Sequence, residues 1–73
     1  MLYSIIDTEL GRQHGLRPDL HQTTANGTKM VVNENELRLV NSDIDKAAQL
    51  LGGEVMTQGE VVNELKKNKF IQS

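Results

Sequence analysis

"QTTANGTKMVVNENEL", residues 22–37, decides how this chain folds. Asn26-Gly27 sits between two strand-like runs. Both residues tolerate positive φ, which a two-residue type I′ turn requires. The register that follows sets Ala25 opposite Thr28 and Thr23 opposite Met30. Met30 and Val32 then share one face, and Val31 points to the other. A hairpin with strands at 21–25 and 28–32 is the expectation. The same stretch ends in a helix start. Asn33 can accept from the amide of Glu36 while Glu36 reaches back to Asn33, a capping box, with Val32 and Leu37 at the positions of a hydrophobic staple. Leu37 and Leu39 alternate, which would also suit a strand at 36–40. The helix is preferred because cap and staple agree on one start residue.

Toward the N-terminus, "LYSIID" reads as a strand over 2–6, rich in β-branched residues and tyrosine. Between it and the hairpin, "TELGRQHGLRPDLH" reads as an irregular loop over 7–20 with at most one helical turn near Thr8. Gly11 and Gly15 weaken a helix, and Pro18 pushes Arg17 toward extended backbone. Leu10, Leu16 and Leu20 are expected to pin this loop to the core.

Toward the C-terminus, Leu37, Val40, Ile44, Ala47, Ala48 and Leu51 recur at helical spacing. Asn41-Ser42-Asp43 interrupts the pattern with residues that favour caps. Ser42 is expected to cap a second helix over 43–51, which Gly52-Gly53 ends. Thr57 with Glu60 forms another capping box, and Met56 with Val61 another staple. Lys66, Lys67 and Lys69 complement the dipole at the end of this last helix. Residues 70–73 are expected to form a frayed tail. The fold class is α+β: a single small domain, with an antiparallel sheet followed by two or three short helices packed on one face.

Composition narrows the chemistry. The 73-residue chain has no cysteine, so disulfides and thiolate metal sites are excluded. Tyr3 and Phe70 are its only aromatics, a poor stock for stacking bases. Formal net charge is −2, and neither half is basic enough to neutralise a phosphate backbone, so nucleic acid is not the expected partner. The apolar start "MLYSII" stops at Asp7 and has no cationic flank, unlike a secretory leader. No stretch is long enough to cross a membrane, and a cytoplasmic protein is expected.

Residues 44–67 suggest a helix-turn-helix, with Ala47, Ala48 and Gly52 at the crossing and turn. Against it stand the long connection "GGEVM", Glu60 where a phosphate would lie, and lysines at the far end of the second helix. His14 and His21 lack the further ligands a metal site needs, so neither a metal nor a cofactor is expected. "GRQHGLRPD" offers an anion or ligand loop through Arg12, His14 and Arg17. Ser4, Ser42 and Ser73 lack the setting of a nucleophile, and no enzyme activity is expected. Val61, Val62, Leu65, Phe70 and Ile71 form a candidate interface. The leading expectation is a non-enzymatic interaction or structural module. It would associate with itself as a homo-oligomer, or with another protein as an accessory subunit of the phage or mobile-element kind. The alternative is a DNA-binding regulator acting through residues 44–67.

Overall fold

The computed structural model describes residues 1–68, 71 and 72. The chain is α+β: antiparallel strands flanked by short helices. β1 is Tyr3–Asp7, β2 Gln22–Thr23, β3 Lys29–Asn33, β4 Val55–Met56 and β5 Ile71–Gln72. α1 is Thr8–Gln13, α2 Glu34–Val40, α3 Ile44–Leu50 and α4 Gln58–Asn68. The sheet runs β4-β1-β3-β2-β5, with every neighbouring pair antiparallel.

Thr23 pairs with Met30, as the hairpin register requires. The turn is wider than two residues. Gly27 N–H donates to the Thr24 carbonyl (2.9 Å), Thr24 N–H donates to Lys29 (3.0 Å), and Gly27 has φ 75°. Asn26 Oδ1 accepts from Thr24 Oγ1 (2.8 Å), Thr28 Oγ1 (2.8 Å) and Thr28 N (3.2 Å). This clamp draws residues 24–28 into the loop, so β2 is shorter than 21–25 and β3 begins at Lys29.

Residues 7–20 are not an irregular loop. Asp7 caps α1 by accepting from the amides of Glu9 (2.9 Å) and Leu10 (3.2 Å). Gly11 lies inside α1 because the helix is pressed onto the core. A Cβ there would overlap Met30 Cε and lie 3.1 Å from Ile6 Cδ1. Gly15, at φ 84°, closes the helix in a Schellman motif, with Leu16 N–H on Gly11 O (2.9 Å) and Gly15 N–H on Arg12 O (3.0 Å). A 3-10 turn at Pro18–Leu20 follows. Leu16 is buried and Leu10 half-buried, but Leu20 is exposed and does not pin the segment.

α2 starts where its capping box requires: Glu36 N donates to Asn33 Oδ1 and Asn33 N to Glu36 Oε1, both at 3.0 Å. Leu37 is fully buried while Leu39 is 82% exposed, which settles helix over strand. The break falls at residues 41–43, and the cap of α3 is Asp43, not Ser42. Its Oδ1 accepts from Asp45 N (3.1 Å) and Lys46 N (3.4 Å). Gly52 and Gly53 end α3 in a second Schellman motif.

Ile6, Met30, Val32, Leu37, Ala47, Ala48, Leu51 and Leu16 form one buried cluster. β1 and β3 contribute their alternate residues to it, so this cluster defines the first face of the sheet, beneath α1, α2 and α3. Strand alternation places Tyr3, Ile5, Lys29, Val31 and Asn33 on the second face. Met56, opposite Tyr3, joins them. α4 packs against β1, and its Glu64 lines a concavity with Ile5, Lys29 and Met56 of that second face. β4 and β5 occupy opposite edges, so α4 carries the chain across. Helices expected on one face are therefore divided between two. Residues 71 and 72, expected to fray, lie opposite Thr23 and Gln22 in β5.

Candidate functional site

β4 was hidden in the connection "GGEVM". Val55 pairs with Ser4 and packs on the core, while Met56 pairs with Tyr3. Gly53 is what lets this segment approach β1. A Cβ there would overlap the Ile5 carbonyl oxygen and lie 2.7 Å from Ser4 Oγ. Residues 44–67 are consequently helix, edge strand, helix. The tight turn that would set a recognition helix against its partner is replaced by a strand.

The anion loop is only partly assembled. Arg12 and Arg17 line an open concavity with Gly15, Leu16, Pro18 and Asp19. Arg17 is engaged there: its Nη2 and Nε reach the Asp19 carboxylate at 2.8 and 3.3 Å. Arg12 stands 4.0 Å from Glu9. His14 is exposed at the end of α1 and does not line the concavity. The carbonyl end of α1 points to this region, which disfavours an anion.

His21, which lacks the further ligands of a metal site, immediately precedes β2. Its side chain is only 11% exposed, with Nδ1 at the Arg17 carbonyl and Nε2 at the Glu36 carboxylate. Glu36 thus serves two contacts, the α2 cap through Oε1 and His21 through Oε2. The fifteen-residue separation of His21 and Glu36 leaves no local motif that could have shown this. Glu34 has a similar bridging part. Its Oε1 accepts from Leu2 N (2.9 Å), and Oε2 pairs with Arg38 (3.0 Å). The Leu2 amide, aided by the Arg38 charge and opposed by partial desolvation, holds the Glu34 carboxyl below its ordinary range. Glu60 is lowered as well, first by the Thr57 amide and then by the Thr57 side chain. Among the described residues no cluster of three or more His, Cys, Asp or Glu is placed to hold a metal ion. No helix there is long and apolar enough to cross a membrane.

Of the candidate interface, Val61 is buried inside the chain at 5% exposure. Val62 is 41% exposed and Leu65 half-buried. Phe70 and the Ile71 side chain fall outside the described residues. The second face nevertheless gathers an apolar surface that the sequence did not disclose. Tyr3, Ile5, Val31 and Met56 are all half-buried there, and α4 packs against β1. One concavity opens on this face and a second lies at its border with α2. The first, of about 500 Å³, is lined by Ile5, Met56, Thr24, Lys29, Glu54 and Glu64 among others. The second, of about 430 Å³, includes Tyr3, Val31, Leu20, His21 and Glu36. No protein-family model matches this chain, and no curated protein or solved structure matches it either.

Proposed function

We propose that this chain is a non-enzymatic interaction module whose working surface is the second face of its sheet. It associates there with a second copy or with a larger protein for which it serves as an accessory subunit. The observation that carries this reading is the half-burial of Tyr3, Ile5, Val31 and Met56 on a face where α4 packs on β1, with Val62 of that helix exposed. The first face, by contrast, is sealed by three helices around fully buried Ile6, Met30 and Leu37. Apolar surface bordered by charged groups such as Lys29, Glu54 and Glu64 suits a protein partner. The residues best fitted for chemistry are committed elsewhere. Ser4 is fully buried, both ring nitrogens of His21 face acceptors, and Arg17 is bound to Asp19.

Sedimentation equilibrium from low to high micromolar concentration tests the reading, on the wild-type chain and on Val62→Glu. Concentration-dependent association that Val62→Glu weakens is the expected result. A wild-type chain that stays monomeric throughout removes the second copy as occupant. Association unaffected by Val62→Glu would remove this face as the surface.

A further inference from the structure

We propose that Asn26-Gly27 is a site of spontaneous deamidation that the hairpin loop holds in check, and that opening the Thr24–Thr28 clamp releases it. The chemistry is intramolecular acyl transfer. The backbone nitrogen of Gly27, having lost its proton, attacks Cγ of Asn26. A bond forms between that nitrogen and Cγ, the Cγ–Nδ2 bond breaks, and the proton lost from nitrogen leaves with the amide group as ammonia. Water then opens the five-membered succinimide at either carbonyl. The product is aspartate, or isoaspartate with its backbone rerouted through the side-chain carbon. No oxidant or further reactant is required.

Two observations make the site available. Asn26 and Gly27 are both exposed, and nothing lies within 4 Å of where a side chain on Gly27 would stand. Asparagine is among the residues that fail chemically on ageing and heating, and a following glycine presents no side chain to block the attack. Four bonds oppose it in the folded loop. The attacking nitrogen is tied through its N–H to the Thr24 carbonyl at 2.9 Å. The electrophile is tied through Oδ1 to Thr24 Oγ1, Thr28 Oγ1 and Thr28 N. Attack needs Cγ swung over the Gly27 nitrogen with orbitals aligned, and a side chain held by three donors cannot swing. The loop therefore exposes the reactive pair while preventing the geometry of reaction.

The place matters to the surface described above. Thr24 and Lys29, at the two ends of this loop, line the second-face concavity. Reaction adds a negative charge beside Lys29, and the isoaspartyl product lengthens the loop backbone by one carbon. Binding there would change slowly and irreversibly after the clamp opens.

The test is incubation of the full chain at mildly alkaline pH and 37 °C, followed by mass spectrometry of peptides containing residues 24–29. Three samples are compared: the folded wild type, the same chain unfolded in urea, and folded Thr28→Val, which deletes one clamping donor. Thr28→Ser, which keeps the hydroxyl, is the conservative control. Replacement of NH2 by OH at Asn26 is expected in the unfolded chain at least several-fold faster than in the folded one. Thr28→Val should lie between them and Thr28→Ser should match wild type. No conversion at Asn26 in the unfolded chain overturns the proposal. Equal rates in folded and unfolded wild type do so too, because they would show that the loop exerts no restraint, and this comparison holds even should Thr28→Val fail to fold.

Discussion

Gly53 and Gly59 are six positions apart, yet a methyl group has opposite consequences at each. At Gly53 the added carbon meets backbone, the Ile5 carbonyl, which cannot rotate away. Gly53→Ala should cost about 1–3 kcal/mol, the usual range for overpacking, and urea denaturation will register it as a lower midpoint. Gly59, in the first turn of α4, has open space where its Cβ would stand. Gly59→Ala should stabilise by about 0.5–1 kcal/mol, by restricting the unfolded chain and favouring helix. Ser4 offers a third case. Its side-chain oxygen is buried with no hydrogen-bond partner among the described residues, and such a hydroxyl costs about 1–3 kcal/mol. Ser4→Ala should therefore raise the melting temperature, and a clear fall would mean that the hydroxyl has a partner. Gly11 explains why reading by residue type failed in the 7–20 segment. Its helix-breaking tendency is real, but the gap it leaves for Met30 and Ile6 outweighs that tendency.

At the scale of elements, signals confined to four or five residues were legible. Both capping boxes form as their letters specify, Asn33 with Glu36 and Thr57 with Glu60. Asn33→Ala and Thr57→Ala should each cost about 0.5–2 kcal/mol, with hydrogen exchange rising first in α2 and α4 respectively. Glu60 adds a pH dependence. Its carboxyl is held below its ordinary range by the Thr57 amide. A carboxyl depressed in the folded state contributes stability above its unfolded pKa, about 4.3. That contribution is lost as pH falls through the lower folded value. The amides of the first turn of α4 should thus lose protection below about pH 4, and Glu60→Gln should flatten that pH profile. Contacts between distant segments were not legible. β4 is two residues long, too short for alternation to reveal, and it forms because Gly53 lets the chain reach β1. The His21–Glu36 contact joins segments that only the β2–β3 pairing and the start of α2 bring together. Asp43 displaced Ser42 as the α3 cap, because two adjacent residues both able to cap cannot be ranked from their types alone.

Taken whole, the molecule is asymmetric about its sheet. Three helices seal the first face, whereas α4 crosses the second, where the apolar residues are only partly buried. The α+β class was legible, though not the order: the structure interleaves helices with strands, and antiparallel pairing is what makes the class. The division of helices between two faces was not legible, since it depends on β4 and β5 taking opposite edges. The candidate surface was glimpsed only through Val62 and Leu65, and the sheet residues that complete it read in sequence as ordinary strand positions. If this face is where the chain meets a second copy, dilution should uncover it and leave the first face unchanged. Amide chemical shifts followed from low to high micromolar concentration test this most directly. The account predicts concentration-dependent shifts at Tyr3, Ile5, Val31, Met56 and Val62, with Leu37, Ala47 and Ala48 unmoved. Shifts centred on α2 and α3, or a spectrum that does not change with concentration, would contradict it.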